Sequence, residues 1–410
     1  MINMLIPWTE EEGKTRVQAL FQDTFGDLPE NFYKAPGRVN IIGEHVDYNA
    51  GICFPMALEH CTFIATKTRA DRVVNICSAQ EEKLCSFDLD NIGPKGSDKE
   101  VQGWISYVAG VFWAFIQEGY ENIAGCDIAL DSCVPYGAGL SSSAALECVI
   151  AVYLADQLGI DIYGADKDLK RADIARMCVR AENEVAGAPT GGMDQSASMR
   201  CESGKALALD CKTFTANLVP FKMAENDLEL LVIDTKAEHK LVDGQYGKRR
   251  QTCMDAAKKL GVSALREISI DTLSDSLDKL DNNVEKQRTK HIVTEIHRTQ
   301  EFIEILSNNT SYSEDIKQKL GERMFDSHQS LRCDYEVSCK ELDLVVDTMK
   351  ENGAWGSRMT GGGFGGCAIA LIQRQDRDRL SQKVAEAFEK AGYTSPVIMT
   401  AVAGQGARKL

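Results

Sequence analysis

The chain has 410 residues, 44% hydrophobic and 26% charged, with 61 Asp and Glu against 46 Lys and Arg and a formal net charge of −15. That length suits two domains better than one core, and the composition excludes a disordered scaffold. So acidic a surface repels polynucleotide phosphate, which argues against a nucleic-acid partner, but a single anionic ligand needs only a local pocket of amides, basic side chains and a divalent cation.

The 14 cysteines are scattered, several inside apolar runs such as Cys148-Val149-Ile150-Ala151-Val152, with no Cys-x-x-Cys and no Cys/His cluster at zinc spacing. They read as free thiols in a reducing cytosol, so a cytoplasmic location is expected. The opening MINMLIPWTEEEGK has no basic region before an apolar core, so no secretory leader is expected. No apolar run reaches about 18 residues, so no membrane span is expected. The closing Ala-Arg-Lys-Leu does not match a peroxisomal tail, because Arg408 stands where a small residue is needed.

In chain order, the first dense polar segment is APGRVNIIGEHVDYNAG at 35–51. Arg38, Glu44, His45, Asp47, Tyr48 and Asn49 fall within twelve positions among small residues. Carboxylates and an imidazole can each bond more than one hydroxyl, so the set suits a sugar; alone, it could equally be a polar surface loop. Residues 102–118 predict a helix with apolar positions at Trp104, Val108, Val111, Phe112 and Phe115. Residues 126–133 alternate apolar and polar, as a half-buried strand does.

PYGAGLSSSAALE at 135–147 follows that strand. A glycine-rich turn leads into a helix that starts within Ser141 to Ser143 and runs to about 158. Glycines permit close backbone approach and a helix start offers free N–H groups, so the segment can cradle phosphate. It is not a Walker A loop, since no Lys follows the glycines. EVAGAPTGGMDQSAS, at 184–198, puts Asp194 in a Gly-flanked turn. Residues 205–211 and 228–234 predict strands, the second a fully buried run that could open another domain. From Asp243 to about 350 the chain reads as mostly helical. MTGGGFGGCAIAL then carries Gly361-x-Gly363-x-x-Gly366. A dinucleotide fingerprint should open a helix, whereas this loop runs into an apolar strand at 367–372.

Together these motifs resemble the galactokinases of the GHMP kinase superfamily, in order and over nearly the whole chain. GRVNIIGEHVDYNAG is similar to the galactokinase signature, PYGAGLSSSAALE to the superfamily's ATP loop, RMTGGGFGGCAIALI to its third motif and GGMDQ to its catalytic-Asp segment. The resemblance implies an α+β, two-lobed fold with the active site between the lobes. The expected parts are an N-terminal domain at 1–217, a C-terminal domain at 218–395, and a segment at 396–410 packing back on the first.

It also implies roles. Asp194 matches the catalytic carboxylate and Arg38 the Arg beside it. Glu44, His45, Asp47, Gly191, Asp194 and Tyr246 match the sugar pocket. Gly137, Ala138, Gly139, Leu140, Ser141, Ser142 and Ser143 match the triphosphate loop, Trp104 the adenine-side aromatic, and Ser143 with Glu182 the Mg2+ ligands. Trp104 reads equally well as an ordinary core residue of its helix. The implied activity is transfer of the ATP γ-phosphoryl group to the anomeric hydroxyl of galactose by a cytoplasmic monomer. Another sugar substrate such as N-acetylgalactosamine stays open, as does a sensor that binds galactose and ATP without turnover. Such a sensor would be expected to lose part of Ser141 to Ala145, Arg38 or Asp194, all present here. Val46 and Ala50 stand where the signature usually has Thr and Gly, and Thr190-Gly191-Gly192 replaces the usual Cys-Gly-Ile.

Overall fold

The computed structural model describes residues 3–237 and 244–410. Its strands form three sheets. A six-stranded sheet has the order Arg408–Lys409, Asn31–Asn40, Pro55–Thr68, Cys126–Ser132, Val73–Ser78, Cys85–Asp88. It is antiparallel apart from the Val73–Ser78/Cys126–Ser132 pair. Side chains alternate across a strand, and Pro55–Thr68 shows it: Phe63 and Ala65 meet Val17 and Phe21 of the helix Glu10–Phe25. Ile64 instead enters the core shared with the helices Ile105–Gln117, Ser142–Gln157 and Lys167–Arg180. Helices thus cover both faces of this sheet.

The second sheet has five strands: Asn3–Met4, Val397–Ala401, Leu228–Asp234, Cys367–Gln373 and Gly356–Thr360. All seven residues of Leu228–Asp234 are buried, as their unbroken apolar run predicts. Leu231 and Ile233 face a core with the helices Gln245–Leu260, Lys340–Glu351 and Arg377–Ala391, the last contributing Leu380, Val384 and Phe388 at i, i+4 and i+8. Leu230 and Val232 face the other way, into a core that also holds Val39, Ile41 and Phe54 from the first half of the chain and Phe302 and Leu306 from the helix Asn283–Asn308. Each such side chain contributes about 1.5–3 kcal/mol when fully buried, so the two halves share a continuous apolar interface. A small sheet of Ile52–Cys53, Lys205–Asp210 and Thr215–Pro220 lies beside it.

The sequence-predicted elements fall close to the observed ones: the helices are Ile105–Gln117 and Ser142–Gln157, and the strands Cys126–Ser132, Lys205–Asp210, Leu228–Asp234 and Cys367–Gln373. The helical stretch begins at Gln245 within the described residues, and Asp243 lies outside them. The expected division at 217 falls inside the strand Thr215–Pro220. Of the segment from 396, Val397–Ala401 pairs with Leu228–Asp234, whereas Gly404 N–H bonds Ala57 O, Ala407 N–H bonds Ser198 O, and Arg408–Lys409 joins the first sheet on Lys34 and Tyr33. Ladder hydrogen bonding, invisible to composition, decides where these strands belong.

Candidate active site

The bulge at Pro36/Arg38 turns the end of Asn31–Asn40 toward the loop at 137–143. A Cβ on Gly37 would lie 2.7 Å from the Leu140 carbonyl oxygen, so only glycine permits this approach. Arg38 N–H donates to Leu140 O at 3.1 Å, and its guanidinium Nη1 to Gly139 O at 2.6 Å. The rest of the guanidinium grips Asp194 in a fork, Nε to Oδ1 at 2.8 Å and Nη2 to Oδ2 at 3.0 Å. Arg38 is 5% exposed; burial opposes its charge, but the carboxylates of Asp194 and Glu44 outweigh that and push its pKa up. Asp194 lies in the first turn of the helix Met193–Arg200 and also accepts the Ser141 hydroxyl.

Gly137, Gly139 and Ser141 all take left-handed φ, at +69°, +75° and +58°. For Ser141 that is a strained conformation, held by its hydroxyl contact to Asp194. The helix Ser142–Gln157 that follows has no acidic residue in its first turn, so its positive end is left for a ligand. The second glycine loop lies directly against the first: a Cβ on Gly361 would sit 2.7 Å from Gly139 O. The turn at 361–366 is thus a wall of the same cleft. Thr360, just before it, accepts Asn40 N–H and donates to Asn40 O through one hydroxyl.

Glu182 lies on a π-turn, Ala181–Ala186, that continues Lys167–Arg180; such insertions redirect side chains and frequently mark functional sites. Ser143 Oγ is 3.4 Å from Glu182 Oε1. The Gln195 amide donates to Glu182 Oε2 and, at 3.0 Å, to Glu147 Oε2. Burial, then the Asp194 carboxylate, pushes Glu182 up to about 8, and burial with Glu182 beside it holds Glu147 well above the usual carboxylate range. Glu147 and Glu182 are therefore buried carboxyls that feel the part-exposed Asp194 carboxylate, with Arg38 as the cation beside Glu182 and Asp194.

The segment at 43–51 forms the other side. His45 has φ +61°, and its ring touches those of Tyr48, Tyr246 and Tyr335, at centroid distances of 6.0, 5.6 and 5.1 Å. Its Nδ1 is 2.8 Å from the Tyr48 hydroxyl, and the Gly362 backbone also acts on the ring. Burial, with His291 nearby, depresses His45 to about 3, so the ring is neutral. Asp47 is pushed up to about 7 by burial and by the Asp194 carboxylate. Burial and Asp47 also raise the Tyr246 phenol well above its usual value. A Cβ on Gly191 would be 2.4 Å from Asp47 Oδ2 and 2.7 Å from Tyr48 N.

Trp104 caps the helix Ile105–Gln117 and packs part-buried on the N-terminal core, the ordinary alternative reading of that residue. Glu147, Gln195, Tyr335, Glu295, Ser327 and Arg358 gather around the predicted residues without having been expected there.

The chain matches the galactokinase galactose-binding signature at 19–68, the GHMP kinase N-terminal domain at 106–202 and the GHMP kinase C-terminal domain at 314–390. It is 41% identical over 392 residues to a galactokinase of Streptomyces coelicolor, covering 95% of this chain and 97% of that one. The chain belongs to the galactokinase family. A Haemophilus influenzae galactokinase is 35% identical, over 95% and 98% of the two chains. The solved structure of Lactococcus lactis galactokinase with galactose superposes with a TM-score of 0.88 at 30% identity, over 97% and 100%. A Methanococcus jannaschii mevalonate kinase shares the fold, with a TM-score of 0.59 at 17% identity.

As a galactokinase-family enzyme the chain is an ATP-dependent sugar kinase with the two-domain GHMP architecture. Its departures from the signature are absorbed locally. Val46 is fully buried in a core. Ala50 adopts φ +57°, a left-handed conformation that glycine would take without strain. Thr190 is tied by its N–H to Asn183 Oδ1 at 2.9 Å.

Proposed function

We propose that this enzyme transfers the γ-phosphoryl group of ATP to the anomeric C1 hydroxyl of α-D-galactose, giving galactose 1-phosphate and ADP. The observation that carries the reading is the Arg38–Asp194 fork, where the glycine-walled cleft and the polar segment at 43–51 meet.

Phosphoryl transfer depends mainly on positioning and charge neutralisation. In this reading the ATP phosphates lie over Gly137, Ala138, Gly139, Leu140, Ser141, Ser142 and Ser143, with adenine toward Trp104. Glu44, His45, Asp47 and Tyr246 hold the sugar. Gly191 leaves Asp47 the room to serve. Asp194 orients the C1 hydroxyl and accepts its proton, while Arg38 holds that carboxylate in place and faces the transferring group.

The buried carboxylates beside Ser143 fit a divalent cation. Among the described residues no group of three or more His, Cys, Asp and Glu forms a cage. Mg2+ usually takes one or two protein oxygens together with phosphate oxygens and waters. Ser143 and Glu182 would hold it, and when bound it offsets the negative charge of the phosphates. Among the described residues no helix is long and apolar enough to cross a membrane. We read the protein as a cytoplasmic monomer acting on small molecules, without nucleic acid or membrane as partner.

The test is ADP release by the purified chain with Mg2+ and ATP, offered galactose, N-acetylgalactosamine, glucose, arabinose or homoserine. Galactose-dependent turnover, with a product blocked at its reducing end, is expected. Turnover with another substrate alone would move the specificity. A folded protein that binds galactose and ATP yet releases no ADP would make it a sensor.

A second expectation concerns Gly191. The clash of any Cβ with Asp47 and the Tyr48 backbone should raise the galactose KM of Gly191→Ala about tenfold, with the ATP KM within about twofold. An unchanged galactose KM would remove Asp47 from the sugar pocket.

A further inference from the structure

Glu44 is held from every side by residues of the C-terminal half. The helix Asn283–Asn308 presents Glu295, whose Oε1 accepts Gly43 N–H at 3.0 Å and Glu44 N–H at 3.2 Å. One turn earlier, His291 Nε2 is 3.1 Å from Glu44 O. The strand Gly356–Thr360 presents Arg358, whose Nη2 donates to Glu44 Oε2 at 3.0 Å and whose Nη1 donates to Asn40 O at 2.9 Å. Ser327, on the helix Glu314–Ser330, joins the two: its hydroxyl accepts Arg358 Nε–H at 3.1 Å and donates to Glu295 Oε1 at 2.7 Å.

These links close a ring: Glu44 N–H to Glu295, Ser327 hydroxyl to Glu295, Arg358 to Ser327, and Arg358 back to the Glu44 carboxylate. Glu295, Ser327 and Arg358 are all 0% exposed, and Glu44 is 3% exposed. Arg298 balances the second Glu295 oxygen at 2.9 Å. Buried ion pairs stabilise a fold little compared with apolar residues of the same volume, because desolvation offsets their attraction. What such a network supplies is one fixed geometry. Here it is imposed on a residue of the galactose-binding signature, next to His45 and Asp47.

We infer that Glu295, Ser327 and Arg358 are positioning residues that set sugar affinity by fixing the Glu44 backbone and one oxygen of its carboxylate, leaving the other oxygen to a galactose hydroxyl. The inference rests on the galactokinase reading above. It makes the sugar pocket a joint product of both halves of the chain. Arg358 stands two residues before Thr360, which bonds Asn40, and three before Gly361, which abuts the 137–143 loop. The same strand therefore serves both substrates' surroundings, but the ring itself touches only the sugar side.

The decisive comparison is steady-state kinetics of the full chain as wild type, Ser327→Ala, Ser327→Thr and Glu295→Gln. Removing the bridging hydroxyl frees Arg358 Nε and one Glu295 lone pair without touching Glu44 directly. Ser327→Ala is expected to raise the galactose KM about 5- to 10-fold and leave the ATP KM within about twofold. Ser327→Thr, which keeps the hydroxyl, should return the galactose KM to near wild type, and Glu295→Gln should exceed Ser327→Ala. If Glu295→Gln fails to fold, the Ala/Thr pair decides by itself. A galactose KM unchanged in Ser327→Ala overturns the inference. So does a proportional rise in both KM values with a lowered melting temperature, the mark of a merely structural role. Absence of galactose turnover in the wild type would instead sink the functional reading.

Discussion

Asp194→Ala should lower kcat by about 10²–10⁴-fold, the usual contribution of a positioned general base. The side chain is 23% exposed and lies between the Arg38 fork and the Ser141 hydroxyl, where a substrate hydroxyl can reach it. Its loss also leaves Arg38, only 6% exposed at the side chain, without its carboxylate. Asp194→Asn is therefore the companion variant, because it keeps an acceptor for the guanidinium while removing the basicity. Single-turnover ADP release, read beside the melting temperature, separates chemistry from folding. Near wild-type turnover in both variants would remove Asp194 from the mechanism. Asn active and Ala inactive would make it an orienting group instead of a base.

With MgATP saturating, so that Glu182 already faces the cation, the galactose kcat/KM should fall about tenfold per pH unit below pH 7 and level off above it. Asp47 holds its proton up to about 7 because burial and the neighbouring Asp194 carboxylate disfavour a second charge. A sugar hydroxyl donates to the ionised form, so binding below that pH must first expel the proton, and kcat/KM reports groups of the enzyme before the sugar binds. Stability runs the other way. The folded-state pKa lies above the ordinary aspartate value of 3.8, so this group's contribution is full below about pH 4 and is lost as pH rises through about 7. Asp47→Asn should abolish the inflection and leave a lower, flat profile. In Asp194→Asn, with the neighbouring charge removed, the inflection should move down in pH. A profile flat from pH 5 to 8 in the wild type would sink the assignment.

The site was legible where chemistry is contiguous in the chain. Arg38, Glu44, His45 and Asp47 sit in one short segment, and the glycines at 137, 139 and 361 announce backbone approach by lacking a side chain. Those glycines do meet, Gly361 against Gly139. The helix start read within Ser141 to Ser143 falls at Ser142, although the Ser141 hydroxyl makes no capping bond and goes to Asp194 instead. The residues that escaped are lone polar positions in long helices. Glu295, in NVEKQRTKHIVTEIHRTQEFIEILSN, lies in a charge-rich helix and looks like one more solvated carboxylate; only helix docking makes it 0% exposed. Glu147 escaped for the opposite reason, lying in an apolar helix where a carboxylate suggests an exposed stripe. Arg358 was hidden by the glycines after it. The strand pair Lys205–Asp210 and Thr215–Pro220 straddles the change in texture at which the expected division at 217 lies.

The two ends of the chain are each lodged beyond the half they are written in. Asn3–Met4 lies beside Val397–Ile398 on the sheet of the C-terminal half, and Leu5 N–H bonds Ile398 O at 3.0 Å. Arg408–Lys409 closes the sheet of the first half, where Leu410 N–H bonds Phe32 O at 2.9 Å and Arg408 reaches Glu10. The halves are therefore not exchangeable cassettes. A chimera joined near residue 220 would carry each parent's terminal strand into the other parent's sheet, where the edge fits only if both ends travel with their hosts. Two fragments cut at the same place would each expose an unpaired edge, and such edges are templates for aggregation. Recombination within this family should thus tolerate internal substitutions of surface loops far better than any swap that parts the first five residues from residues 397–401.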